Sequence, residues 1–289
     1  MIPNSVLAWI TEQGYGSIQS VQPVGGGCIN HGARLLTSRG MSFFLKTNSS
    51  TPADMFQREA EGLAALQSGG ALSAEPFPRV PLAYCYGNSF LLLEDLKPAP
   101  PGENYWEQFG RQLAHLHQKT SPQFGFDHDN YIGSTPQRNP WVDNGFDFFS
   151  EYRLRFQARL AQRNELLDVY DVRQVEAICQ RLPELIPSQP ASLLHGDLWS
   201  GNAITDSKGA PAIIDPAVYY GWSEAELAMT SLFGGFPETF YEAYQEEHPL
   251  EPGYRQRFPI YNLYHLLNHL NLFGTGYLSQ VRSILHRFG

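Results

Sequence analysis

Asp197, Asn202 and Asp215 fall within one stretch, LLHGDLWSGNAITDSKGAPAIIDPAVYYG, and their types and spacing suit one chemistry. In phosphoryl transfer a loop Asp accepts the proton of the attacking hydroxyl, an Asn five residues later holds one Mg²⁺, and a downstream Asp holds the other. Asp197 and Asn202 have that spacing. Between Asn202 and Asp215 run Ala-Ile-Thr, the turn-forming Asp206-Ser207-Lys208-Gly209 and an apolar return, which is a hairpin that would set Asn202 beside Asp215. Mg²⁺ takes oxygen ligands and shares its shell with substrate phosphates, so one carboxylate and one amide oxygen suffice on the protein side. A lone His-Gly-Asp is more often a plain turn; the whole constellation carries the reading.

Elements able to position these groups lie upstream. Ser17 to Val24 reads as a strand, GGGCINHG as a glycine loop and Ala33 to Leu36 as the returning strand. Gly25, Gly26 and Gly27 would let backbone N–H groups approach phosphate oxygens closely. This is not a Walker A loop, because no Gly-Lys-Ser/Thr ends it and a strand follows. Met41 to Lys46 is an apolar strand ending in one of only four lysines, so Lys46 is the candidate to meet nucleotide phosphates. Thr51-Pro52-Ala53-Asp54 predicts a helix start with Thr51 as N-cap, and Phe56, Ala60, Leu63 and Leu66 form its buried stripe. Glu59 sits near that stripe and Glu61 two residues on; spacing alone leaves either as the partner of Lys46. Pro81 to Tyr86 and Ser89 to Glu94 form a hairpin completing a five-stranded sheet, and DLKPAPPG then marks a lobe boundary.

Beyond it the pattern is helical except around the catalytic stretch. Tyr105, Phe109, Leu113 and Leu116 share one helical face, and Phe148, Phe149, Tyr152, Phe156 and Leu160 another, as core stripes. Pro122 to Asn144 reads as a long loop bordering an acceptor site. Ser223 and Glu226 have the spacing of a capping box. His265 and His269 are four apart on a Leu-rich helix, but with no acid between them they read as packed core histidines rather than a metal site.

At 289 residues the chain has room for one large domain or two smaller ones. Its net charge of −9 opposes binding to a nucleic-acid backbone and permits an acceptor bearing amines. Cys28, Cys85 and Cys179 have no CxxC spacing, so neither zinc nor a disulfide framework is indicated and a reducing cytoplasm fits. Met1-Ile2-Pro3-Asn4 lacks the basic start and apolar run expected of a signal peptide, and no stretch approaches the apolar length of a membrane helix. Cys28, inside the glycine loop, is a candidate reactive thiol, with a redox-linked dimer through it as the alternative to a monomer; Cys85 and Cys179 read as packed and inert.

HGDLWSGN followed by IDPAVYYG, with LAMTSLFGGF and YNLYHLLNHLNLFG further on, resembles the fructosamine kinase (ketosamine-3-kinase) family over nearly the whole chain. The resemblance implies an α+β, bilobal protein-kinase-like fold: an N-terminal lobe over 1–94 with an antiparallel sheet and a helix, a hinge over 95–102, and a mainly helical C-terminal lobe over 103–289. It implies ATP and Mg²⁺ between the lobes, with adenine on the hinge backbone at Glu94 and Leu96. Asp197 would be the base, Asn202 and Asp215 the metal ligands, and Glu59 rather than Glu61 the partner of Lys46. The acceptor would be a sugar–amine adduct, free or on a glycated amine or protein, phosphorylated on its 3-hydroxyl as a step of deglycation. An aminoglycoside, choline or other small-alcohol kinase is the nearest alternative, and a non-catalytic nucleotide-binding module a remote one. The family pattern has Asp where Glu226 stands and His where Trp222 stands, so both positions depart from it.

Overall fold

A computed structural model describes residues 2–25, 30–71 and 76–289. Helix α1 (Asn4–Glu12) leads into strands β1 (Ile18–Val24), β2 (His31–Thr37) and β3 (Ser42–Thr47), followed by helix α2 (Met55–Ala71) and the hairpin β4 (Ala83–Gly87) and β5 (Phe90–Glu94). These strands make one antiparallel sheet in the order β1-β2-β3-β5-β4. Alternation gives it two unlike faces. Leu35, Phe43, Leu45 and Leu92 pack with Val6 and Ile10 of α1, whereas Leu91 and Leu93 join the main core with Phe56 and Leu63 of α2.

The helix start differs from expectation. Helix α2 begins at Met55, because Pro52 makes a turn first, with the Met55 N–H donating to the Pro52 carbonyl at 3.1 Å. Thr51 is therefore not its N-cap. Asp54 instead accepts from Arg58 at 3.2 Å and from the Tyr131 hydroxyl at 2.7 Å.

The rest of the chain comprises α3 (Tyr105–His117), β6 (Thr120–Ser121), β7 (Asn130–Ile132), β8 (Thr135–Gln137), α4 (Gly145–Phe149), a π-helical turn over Ser150–Arg155, α5 (Phe156–Arg163) and α6 (Val169–Leu185). Then come β9 (Ala191–Leu194), β10 (Ala203–Thr205), β11 (Pro211–Ile213), β12 (Tyr219–Gly221), α7 (Ser223–Thr230), α8 (Glu238–Glu247), α9 (Tyr254–Phe273) and α10 (Leu278–Phe288). A three-stranded sheet, β12-β9-β6, carries the chain into the HGD turn, and β10 pairs with β11.

The segment from Pro122 to Asn144 is not an open loop. It contains the β7–β8 hairpin, and its amide side chains are buried: Asn130 donates to the Val218 carbonyl at 2.7 Å and Gln137 to the Ala217 carbonyl at 2.9 Å. A composition that looks like loop therefore supplies hydrogen bonds to the backbone just after Asp215. No helix among the described residues is long and apolar enough to cross a membrane.

Candidate active site

Two turns meet at the site. Strand β9 ends in His195-Gly196-Asp197, and the β10–β11 hairpin ends in Ile214-Asp215. The Ala217 N–H donates to the His195 carbonyl at 2.8 Å and the Ile214 N–H to the Asn202 carbonyl at 3.1 Å, which fixes the spacing of the two turns. Gly196 has φ of 85°, and a Cβ there would lie 2.0 Å from the Ala217 carbonyl oxygen, so only glycine lets the segments approach this closely. Asp215 adopts φ of 60°, a left-handed conformation rare for a residue with a side chain and concentrated at functional sites.

His195 is buried. Its Nδ1 accepts the Asp197 N–H at 3.3 Å and its Nε2 faces the Ile214 carbonyl at 2.8 Å, a pattern that requires the neutral ring with its proton on Nε2. Burial also lowers its pKa. His195 thus braces both turns rather than titrating.

The half-buried Asp197 carboxyl is pushed up to about 7, first by burial and then by the Asp215 carboxylate, against the lowering bond from Asn202. A general base works best with a pKa near the operating pH. Asn202 Nδ2 donates to the Asp197 carbonyl at 2.7 Å and to its carboxylate at 3.3 Å. That bond turns the amide so that its oxygen is left for another ligand.

Lys46, 5% exposed at the end of β3, donates to Glu59 at 2.6 Å and also to Asp215. Burial opposes its charge, but the Asp215 and Glu59 carboxylates outweigh that and hold the ammonium protonated above its usual range. Of the two candidate partners on α2, Glu59 makes this contact. Glu61 turns outward to Arg58 at 2.8 Å and to His128 Nε2 at 2.9 Å. Gly62 of the same helix faces Pro216 and Val218, where a Cβ would lie 3.2 Å from a Val218 methyl, so the helix packs closely on the segment after Asp215.

Asp197, Asn202, Asp215, Lys46 and Glu59 are therefore brought together. The Glu94 side chain instead pairs with Arg79 and accepts the Leu82 N–H at 3.2 Å, and Leu96 is buried. Gly26, Gly27 and Cys28 lie outside the described residues. Cys85 is half-buried and Cys179 buried, and burial pushes both thiols up to about 11. His265 is buried with its Nδ1 unpartnered, and His269 Nδ1 contacts the His265 carbonyl at 2.8 Å; no cluster of three metal-ligating side chains occurs among the described residues. An oxygen-only donor pair such as Asn202 and the half-exposed Asp215 carboxylate fits a hard cation that takes its remaining ligands from phosphate and water.

The capping box is corrected by the structure. Trp222 precedes α7 without a side-chain cap, and Glu226 points inward, 2% exposed. Its carboxylate accepts the His195 N–H at 2.9 Å and the Gly196 N–H at 2.6 Å, and it lies 3.0 Å from His117 Nε2, whose Nδ1 lies 2.8 Å from the Tyr244 hydroxyl. Burial disfavours its charge, but His117 and these donors hold the carboxyl below its ordinary range. Nothing local in the sequence marks His117 or Tyr244 for this task, since each sits on an aromatic helix stripe. Trp222, the second departure, is core: it packs within 6.0 Å of Phe124, Phe146, Phe149 and Tyr261.

Residues 3–288 match the family model described as fructosamine kinase. A Synechocystis protein assigned as a ketoamine kinase is 46% identical over 273 residues, covering 93% of this chain and 90% of its own. The chloroplastic protein-ribulosamine 3-kinase of Arabidopsis thaliana is 40% identical and covers 99% of this chain and 87% of its own. A crystal structure assigned as a fructosamine-3-kinase, from Thermobifida fusca, superposes with a TM-score of 0.86 at 33% identity, covering 99% of this chain and 98% of that one. Choline kinase LicA of Streptococcus pneumoniae, at 14% identity and a TM-score of 0.64 over 98% of this chain and 97% of its own, shares the protein-kinase-like phosphotransferase fold. The chain belongs to the fructosamine kinase family.

Proposed function

We propose that the protein transfers the terminal phosphoryl group of ATP to the 3-hydroxyl of a ketosamine, of fructosamine or ribulosamine type. The observation that carries this reading is the meeting of Asp197, Asn202 and Asp215 with the Lys46–Glu59 pair in one cleft of a fructosamine kinase family chain. The division of labour follows from chemistry. The Asp197 carboxylate takes the proton of the acceptor hydroxyl, and its raised pKa makes it a competent base. Asn202 and Asp215 would hold Mg²⁺, which supplies charge neutralisation on the phosphates when bound. Lys46, kept ionised and aimed by Glu59, meets phosphate oxygens in exchange for Asp215. Residues 1–94 act as the nucleotide-binding lobe with Gly25 to Gly27 at the phosphates, 95–102 as the hinge, with the Glu94 and Leu96 backbone at adenine, and 103–289 as the lobe carrying the base and the acceptor.

The relatives carry names of ketoamine and protein-ribulosamine kinases, which favours a sugar–amine acceptor, free or protein-bound. A phosphorylated ketosamine that then releases its amine makes the reaction a repair of glycation. Coupled ATP consumption across fructosamines, ribulosamines, an aminoglycoside and choline tests the proposal: turnover confined to the ketosamines supports it, and turnover only on choline or the aminoglycoside overturns it.

A further inference from the structure

Arg34 lies on the cleft face of the N-terminal sheet. Across β2 and β3, Gly32 pairs with Lys46, Arg34 with Phe44 and Leu36 with Ser42. Opposed residues point the same way and alternate residues share a face, so Arg34, Phe44 and Lys46 stand on one side. Leu35, Phe43 and Leu45 occupy the other and are covered by α1. Arg34 and Phe44 sit two residues along from the Gly32–Lys46 level, about 7 Å toward the hinge.

Arg34 is anchored. Its Nε lies 2.7 Å from the carboxylate of Asp95, a hinge residue whose side chain is only 2% exposed; the two form an ion pair without the alignment of a hydrogen bond. The second Asp95 oxygen accepts the Lys97 N–H at 3.2 Å, which fixes the carboxylate in turn. Arg34 is therefore held through one nitrogen only. Its terminal amino groups have no partner among the described residues, and its side chain is 36% exposed. A cavity of about 230 Å³ opens beside it, and its lining includes Gln22, Leu36, Ser42, Asp95 and Lys97 as well as Arg34 itself.

We propose that Arg34 is a nucleobase-binding residue: its guanidinium, anchored by Asp95, lies against the face of the purine whose phosphates meet Lys46. The inference deepens the kinase reading and rests on it. A guanidinium is planar and weakly hydrated and stacks on aromatic faces, which an ammonium does far less well. Anchoring by a buried carboxylate restricts its rotamers before the base arrives, so less freedom is lost on binding. Phe44, its cross-strand neighbour, extends the same ceiling with apolar surface. The position, toward the hinge rather than at the Lys46–Asp215 contact, suits a base and not a phosphate.

Calorimetric titration of ATP and of inorganic tripolyphosphate, each with Mg²⁺, into the wild type, Arg34→Lys, Arg34→Met and Asp95→Asn tests this, with melting curves as a fold control. ATP affinity should fall about tenfold in both Arg34 variants and by a smaller factor in Asp95→Asn, while tripolyphosphate binding stays at the wild-type level. An equal loss for both ligands would make Arg34 a phosphate contact, and unchanged ATP binding in folded Arg34 variants would make it structural; either result overturns the inference. ATP binding to the wild type with no effect of Arg34 sinks this proposal alone, whereas absence of ATP binding to the wild type sinks the kinase reading with it.

Discussion

The Glu226 carboxylate accepts the Gly196 N–H at 2.6 Å, so a side chain on α7 holds the backbone of the residue immediately before Asp197. Hydrogen bonds to a charged acceptor are worth about 1.5–3 kcal/mol, and a buried donor left unpaired adds its own desolvation penalty. Glu226→Gln replaces one acceptor oxygen by an amide NH2 that must face the N–H group of either His195 or Gly196, which bond to different oxygens. Its kcat should fall about 100-fold with a smaller change in ATP KM, and its melting temperature should drop. Glu226→Asp keeps the charge and should retain more activity than the Gln variant. The reverse order would mean that side-chain length, not charge, is what the turn requires.

Asp197 sets the pH profile. As a base it must be ionised, so kcat/KM for ATP, which reports the free enzyme, should climb as pH rises through about 7 and level above it. The neutral, buried His195 does not supply this limb, because its pKa is displaced downward. Asp197→Asn should bind ATP and lose roughly 10²-fold to 10⁴-fold in rate. Its stability should move the other way. A carboxyl with a raised folded pKa binds protons more tightly in the folded state, so wild-type stability falls as pH rises from the unfolded carboxyl range through about 7. Above that pH, Asp197→Asn should be more stable by about 1–2 kcal/mol, discounted because the group is partly open to solvent. Denaturation at pH 5 and pH 8 checks the sign: a stability gain larger at pH 5 would contradict it.

The lysine pair behaves as a unit. Glu59→Gln should raise ATP KM and lower kcat in the manner of Lys46→Met, since the first takes away the carboxylate that positions the ammonium and the second takes away the ammonium itself. Removing one partner of a buried ion pair also destabilises, by about 3 kcal/mol at the low end of such cases. Glu61→Gln breaks only partly exposed contacts to Arg58 and His128 and should be nearly silent. Steady-state kinetics on the three variants decides between them; a critical Glu61 with a silent Glu59 would contradict the assignment.

What was legible in the chain was what local pattern encodes. The hairpin joining Asn202 to Asp215 announces itself through Asp-Ser-Lys-Gly between apolar runs, and Lys46 through its place after a glycine loop. Spacing does not separate Glu59 from Glu61, because the choice depends on how α2 is turned against Lys46 and against Arg58 and His128, which only the tertiary packing sets. The capping-box pattern at Glu226 misleads for a related reason. Ser-x-x-Glu is a local signature, but the partners of this carboxylate are 30, 31 and 109 residues away, and no periodicity reports them. The amides of Asn130 and Gln137 likewise resemble loop composition until the fold buries them against the Ala217 and Val218 carbonyls.

The central claim is that Asp197 activates the 3-hydroxyl of a ketosamine for attack on ATP. Its most direct test is the position of phosphate in the product, read by NMR after incubating a fructosamine and a ribulosamine with ATP, Mg²⁺ and either the wild type or Asp197→Asn. The account predicts phosphate on the 3-oxygen with one ADP released per product in the wild type, and product below about 1% of that in the variant. Phosphate on another hydroxyl, or the same yield from Asp197→Asn, would contradict it.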